Sequence, residues 1–214
     1  MNYFKVENFK GAKMAIAITL LTQVSMQIAS LVMSPSAIAL PGQSPDEVAD
    51  WIKTNPVLTP AKGERLLIRK SDTPARRFQF QASILSVGTV EKSGDANLIR
   101  SEQISFFDIV NGVTKSRLEE SLRSIYNPEI MRDYATASVV YAYPNAAMIR
   151  RSQAKNASPL LRALNGQLRQ GKKYAYWVEV LQSDRGKANS GQLTIFELEA
   201  LPRMQQKLRD REKF

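Results

Sequence analysis

The chain has 214 residues, of which 43% are hydrophobic, and it carries a formal net charge of +10 at pH 7. It contains no histidine and no cysteine, which excludes Ser-His-Asp and Cys-His catalysis, metal sites built on imidazole or thiolate, attached haem and disulfide bonds. The chemistry that remains is that of carboxylates, of a serine–lysine pair or of an oxygen-ligated cation, and the sequence indicates no cofactor.

Residues 1–39 have the pattern of a cleavable secretory signal peptide. Lysines precede an apolar run over 14–33, and Pro35 interrupts the chain just before the small residues Ala37 and Ala39. Because signal peptidase accepts small side chains at these two positions, we predict cleavage after Ala39 and no transmembrane segment in the remainder. The apolar run is also long enough for a retained anchor. Both interpretations place the rest of the chain outside the cytoplasm.

The predicted location is therefore the periplasm or the extracellular space of a bacterium. If the source is photosynthetic, the thylakoid lumen is an alternative location. Within the exported part, residues 40–63 predict an N-terminal helix and a linker, residues 64–200 a single α+β domain, and residues 201–214 a basic C-terminal helix or tail.

The helix within 40–63 begins with a capping-box pattern. Ser44 is followed by a proline and, three residues on, by Glu47, the arrangement in which each residue satisfies a free backbone N–H of the other. Pro56 predicts the end of this helix.

The next segment predicts three strands. A short apolar strand begins at Leu66, and from Phe78 apolar and polar residues alternate, which is typical of a strand with one wet face. The change of phase at Leu85 and Val87 predicts a bulge. A partner strand over about 99–110 completes a long hairpin.

Helices and one strand follow. The pattern from Ser116 to Glu119 predicts a second capping box, Pro128 begins a short helix, and the β-branched and aromatic run over 139–143 predicts a strand. A helix is predicted over 158–171, with its leucines facing the core and a glycine at its end.

The last hairpin is predicted from strands over 173–181 and 192–199, joined by a turn through Gly186 and Gly191. Pro202 begins the basic C-terminal helix. The predicted order is α-βββ-α-β-α-ββ-α. The predicted fold is therefore α+β, with a mainly antiparallel sheet of about six strands and helices packed on it.

Two sequence features are compatible with catalysis. Ser152 and Lys155 match S-x-x-K, in which a lysine one helical turn away takes the proton of a serine nucleophile, but the companion motifs of that enzyme class are absent. Asp108 and Glu179 stand among apolar residues, where burial would raise the pKa as a general acid requires. The other interpretation is that Glu179 faces water on a strand with one wet face. A hydrolase of envelope polymers using Ser152/Lys155 or a carboxylate pair is therefore the alternative function.

Basic residues precede aromatic ones at two places, and this pattern is typical of sites for anionic or sugar polymers. The candidate binding residues are Arg76, Arg77, Lys172, Lys173, Tyr174, Tyr176 and Trp177. The other interpretation is that the aromatic residues belong to the core. The favoured function is an exported, non-enzymatic binding or accessory protein with an acidic partner, which is an acidic protein surface, an anionic lipid or a cell-wall polymer. Export argues against nucleic acid.

Overall fold

The computed structural model describes residues 40–89, 97–154, 158–183 and 187–211, which all fall in one compact unit. The signal peptide predicted over 1–39 and the candidate Lys155 lie outside the described residues. Within these, six α-helices accompany a seven-stranded antiparallel sheet. The α+β class and the antiparallel sheet are confirmed, whereas the number of strands and the order of elements differ from the prediction.

The elements follow the chain as α1 (Pro45–Thr54), β1 (Leu67–Thr73), β2 (Arg76–Ser83), β3 (Ser101–Asp108), α2 (Lys115–Ile125), α3 (Pro128–Thr136), β4 (Ser138–Tyr143), α4 (Ala146–Ser152), α5 (Pro159–Ala163), β5 (Leu164–Gln170), β6 (Tyr174–Gln182), β7 (Ala188–Glu197) and α6 (Leu201–Arg211). A 3-10 turn, Leu198–Ala200, joins β7 to α6. The strands lie in the order β1-β2-β3-β7-β6-β5-β4. In the part of the chain that the structure describes, no helix is long and apolar enough to cross a bilayer.

Side-chain caps set where the first two helices begin. The predicted capping box of α1 is present, since the Glu47 N–H donates to Ser44 Oγ and the Ser44 N–H donates to the Glu47 carboxylate at 2.8 Å. The prediction that Ser116 caps α2 is wrong. The cap is Thr114, whose Oγ1 accepts a hydrogen bond from the Arg117 N–H at 3.1 Å. Serine and threonine both cap helices, so the local sequence pattern does not separate Thr114 from Ser116.

The helix predicted over 158–171 is also wrong. Only α5 is helical there, and β5 follows it directly. Leu164 and Leu168 misled the prediction because residues four apart share a face in a strand as well as in a helix. Gly166 lies within β5, where the Tyr143 hydroxyl occupies the space that a Cβ would need. Gly171 lies in the β5–β6 turn beside the Asp133 carboxylate and caps no helix. The helix α4, which Asn145 caps, was not predicted.

Gly191 lies inside β7 and not in a turn as predicted. A Cβ at this position would lie 2.8 Å from Val113 Cγ1 and 3.1 Å from Leu118 Cδ1, closer than carbon atoms pack. The glycine therefore lets the start of α2 approach the sheet. The predicted bulge at Leu85 and Val87 is absent as well, because β2 ends at Ser83 and both residues belong to the loop that follows.

Helices cover both faces of the sheet. On the first face, α1, α2 and α3 pack around a core that includes Ile52, Phe80, Leu122, Tyr134 and Ile195. On the second face, α4, α5 and α6 pack around Tyr143, Met148, Leu168, Phe196 and Leu208. The second face of β2 and β3 carries mostly glutamine and serine side chains instead, with Arg77 stacked on Phe107 at one end. The sheet thus has one fully covered half and one half with a polar face.

Candidate binding site

The two predicted basic–aromatic clusters lie at opposite ends of the sheet. Arg76 and Arg77 begin β2, and the strand register through β3 and β7 places the start of β2 at the same end as the last residues of β6. Lys172 and Lys173 lie just before β6, at the other end. The structure does not bring the two clusters together, so they cannot form one site.

The Lys172–Lys173 cluster is organised by a buried carboxylate. Asp133 of α3 is 8% exposed. Its Oδ1 accepts hydrogen bonds from the backbone N–H groups of Lys172 and Lys173 at 2.8 and 3.2 Å, and its Oδ2 accepts from the Tyr174 N–H and the Tyr176 hydroxyl. Burial, with the bond to Asp133, raises the pKa of Tyr176 well above its usual range. Tyr176 is a core residue, and this cluster holds the β5–β6 turn in place. Nothing in the sequence marks Asp133 as its centre.

Trp177 belongs to a hydrogen-bonded network on the second face. Its Nε1 donates to the Tyr143 hydroxyl at 2.8 Å, and that hydroxyl donates to the Glu179 carboxylate. Glu179 also accepts from Arg211 Nη1 of α6 at 3.0 Å and from Gln192 Nε2 at 3.3 Å. At 6% exposure, Glu179 does not face water. Its charge is matched by Arg211.

The two carboxylates considered for catalysis do not form a pair. Asp108 lies at the end of β3 on the first face, whereas Glu179 lies on the second. The backbone N–H of Asn111 and then the guanidinium of Arg117 lower the pKa of Asp108 from 3.8 to about 2. The expectation of a raised pKa is therefore wrong for Asp108, which is held as an anion and cannot serve as a general acid near neutral pH.

Ser152 is the last residue of α4. Its Oγ donates to the carbonyl oxygen of Ile149 at 2.8 Å, the ordinary bond of a serine at a helix end. Its own carbonyl oxygen accepts from Arg162 Nε at 3.1 Å. Among the described residues, these contacts bring no carboxylate or lysine to the Ser152 hydroxyl.

Arg76 lines a cleft that joins basic and aromatic side chains. The Arg76 cleft consists of two adjoining hollows, of about 280 and 240 Å³, which share Lys70, Phe78, Phe106 and Arg117. The rings of Phe78 and Phe106 lie 5.3 Å apart between centroids and form its floor. The guanidinium of Arg117 lies 5.0 Å from the centre of the Phe106 ring, within the range of a cation–π contact.

The charges of the Arg76 cleft are only partly matched. Arg117 Nη1 lies 2.7 Å from the Asp108 carboxylate, and Arg76 Nε lies 3.9 Å from it. Lys70 Nζ donates to the carbonyl oxygen of Val57 at 2.6 Å, which fixes the ammonium at the rim without neutralising it. Four cationic and three acidic side chains line the two hollows, so the cleft keeps a net positive charge. Arg76 was predicted from its aromatic neighbours in the sequence, whereas Lys70 and Arg117 reach the cleft only through the fold.

No family model, curated protein or solved structure matches this chain. The fold defines it as an α+β protein with one antiparallel sheet between two groups of helices. Among its described residues, no group of three or more acidic side chains is arranged to hold a metal ion. The charges and aromatic side chains of the Arg76 cleft are therefore the features that bear on function.

Proposed function

We propose that this chain is an exported, non-enzymatic binding protein whose acidic partner docks in the Arg76 cleft. The observation that carries the proposal is the convergence of Lys70, Arg76 and Arg117 on the paired rings of Phe78 and Phe106. The sequence supports export through the signal pattern in residues 1–39. With its high positive charge, the chain would be attracted to acidic surfaces in that compartment.

The cleft suits a protein segment that carries an apolar side chain between carboxylates. The aromatic floor would bury the apolar side chain, and the guanidinium groups of Arg76 and Arg77 at the rim would each bind a carboxylate through two parallel hydrogen bonds. Each hollow has the volume of one or two side chains, which favours a short peptide segment over a long lipid chain. Anionic lipid and cell-wall polymer are the other partners that the charge allows.

The proposal is tested by neutralising the two arginines that begin β2. The double variant Arg76→Gln/Arg77→Gln is compared with Arg203→Gln/Arg209→Gln, which removes the same charge from the exposed side of α6. The probes are peptides with one leucine or phenylalanine flanked by aspartates, measured by fluorescence anisotropy over a salt series. Vesicles with and without anionic lipid are measured in parallel.

We expect the parent protein to bind the peptides with an affinity that falls as salt rises. The β2 double variant should lose about fivefold or more in affinity, since each exposed charge pair contributes up to about 1 kcal/mol, and the α6 variant should bind like the parent. Equal losses in both variants would attribute binding to net charge alone and contradict a site. Binding to anionic vesicles but not to the peptides would replace the protein partner with a lipid.

A further inference from the structure

A second cleft lies on the polar part of the second face, and nothing in the proposed function uses it. The Trp177 cleft, of about 180 Å³, is bordered by Gln81, Ser83, Gln103, Trp177 and Thr194, together with apolar residues of the loop after β2. Its described lining contains no ionisable side chain. In a chain with a net charge of +10, a neutral cleft indicates a ligand that is itself neutral.

Thr194, one of the residues that line this cleft, carries an unmet hydrogen-bonding group. Its side chain is 5% exposed, and its Oγ1 is buried without a hydrogen-bond partner among the described residues. Buried hydroxyl groups are nearly always paired, because leaving one unpaired destabilises the folded state. An unpaired hydroxyl on a residue that lines a cleft indicates that a ligand or an ordered water supplies the missing hydrogen bond.

The amide side chains beside Thr194 are arranged as one donor and one acceptor. Gln103 Nε2 donates to Ser105 Oγ at 3.2 Å and to the Gln192 side chain, which uses both of its hydrogens and leaves the carbonyl oxygen to accept. Gln81 Oε1 accepts from Gln79 Nε2 at 3.4 Å, which leaves the Gln81 amide hydrogens to donate. With the Thr194 hydroxyl, the residues that line the cleft include both kinds of partner.

Trp177 supplies a flat apolar surface at the edge of these groups. Its indole nitrogen is engaged by the Tyr143 hydroxyl at 2.8 Å, so the ring is held in one orientation. A fixed aromatic face next to neutral donors and acceptors matches one class of ligand, a ring that has C–H groups on its face and hydroxyls around its edge.

We infer that the Trp177 cleft binds a neutral saccharide, with one sugar ring against the Trp177 indole and its hydroxyls bonded to Gln81, Gln103 and Thr194. The volume, room for about six water molecules, fits one ring and not a longer segment. The cleft lies on the opposite face of the sheet from the floor of the Arg76 cleft. Saccharide binding here therefore does not depend on whether an acidic partner binds in the Arg76 cleft. The ring would come from a free sugar or from the end of a polymer.

The chain itself provides the probe. It has two tryptophans, and the other one, Trp51, lies on the first face, stacked on Tyr126 at 5.8 Å. In the full chain carrying Trp51→Phe, emission comes from Trp177 alone. Neutral monosaccharides (glucose, galactose and N-acetylglucosamine) and short oligomers of the same units are titrated, and the emission is recorded.

We expect a saturable change in Trp177 emission with at least one of these sugars. Adding Thr194→Val should weaken that binding about fivefold or more, while the melting temperature does not fall, since the hydroxyl removed has no partner in the free protein. The matched control Thr73→Val, on an exposed residue at the end of β1, should change neither quantity. Stronger binding of oligomers than of single sugars would identify a polymer end as the source.

The inference is overturned if no sugar changes the emission of the folded Trp51→Phe chain, or if Thr194→Val binds as tightly as its parent. If Thr194→Val binds as tightly as its parent, only water forms a hydrogen bond with the Thr194 hydroxyl. Should Thr194→Val fail to fold, Gln81→Ala on the partly exposed β2 residue must show the same loss of affinity. Unchanged binding there would equally refute the site. If Trp51→Phe is itself unfolded, isothermal calorimetry on the unaltered chain decides.

Discussion

Glu102 makes the stability of this protein depend on pH in an unusual range. It lies on β3 with its side chain in the first-face core, 0% exposed. The Tyr126 hydroxyl donates to its Oε2 at 2.6 Å, whereas Oε1 has no hydrogen-bond partner among the described residues. Burial raises the pKa of Glu102 from 4.5 to about 7, and the bond from Tyr126 offsets only part of that rise.

The sign and size of the effect follow from linkage. Between about pH 4.5 and pH 7 the folded protein holds a proton on Glu102 that the unfolded chain has released, so the free energy of unfolding falls as pH rises through this window. A rise in pKa from 4.5 to about 7 corresponds to a loss of about 3 kcal/mol, at about 1.4 kcal/mol per pKa unit. Below pH 4.5 the contribution is fully present, and above pH 7 it is gone.

Glu102→Gln isolates this contribution, because glutamine keeps the acceptor for Tyr126 and cannot ionise. The assay is urea unfolding at closely spaced pH values from 4 to 8, for the parent, for Glu102→Gln and for the exposed control Glu199→Gln. We expect the stability of Glu102→Gln relative to the parent to rise by about 3 kcal/mol across the range, and that of the control to stay constant. A constant difference between the parent and Glu102→Gln would refute the reasoning.

Three further predictions concern packing, a turn and the serine. Gly191→Ala should destabilise the protein by about 1–3 kcal/mol through overpacking against Val113 and Leu118, measured by urea unfolding with Ser190→Ala as a control of little effect. Asp133→Ala removes the acceptor of four hydrogen bonds and should speed amide exchange across the β5–β6 turn; unchanged protection would contradict its role. Ser152→Ala should alter stability by less than about 0.5 kcal/mol and leave partner binding intact, whereas loss of any hydrolytic activity would revive the alternative function.

The parts of the fold that sequence predicts are those controlled by local chemistry. The box at Ser44 and Glu47 marks α1 correctly, and alternation around Phe80 marks β2, because each signal acts within a few residues. The errors at Leu164 and Gly191 have a different origin. The four-residue spacing of Leu164 and Leu168 is compatible with a helix and with a strand. Gly191 is needed because α2, which is distant in the chain, packs against it.

The candidate sites show the same division. Arg76 could be selected because it stands next to aromatic residues in the sequence. Nothing in the sequence around Lys70, Arg117 or Thr194 marks these residues as part of a cleft. The strand register places Lys70 and Thr194, and the packing of α2 on the sheet places Arg117. Lys172 and Arg76 were predicted together as binding residues although they lie at opposite ends of the sheet, because sequence does not tell which end of a sheet a residue occupies.

The position of β7 has a consequence for how the protein is made. It is the last of the described strands along the chain but the central one of the sheet, between β3 and β6. The three strands on either side are therefore two separate ribbons until residues from Ala188 onwards have emerged and inserted between them. A ribosome that still holds residues from Ala188 onwards keeps the sheet open, with β3 and β6 as unpaired apolar edges. The two ribbons therefore join into one sheet only when β7 is available to pair with both.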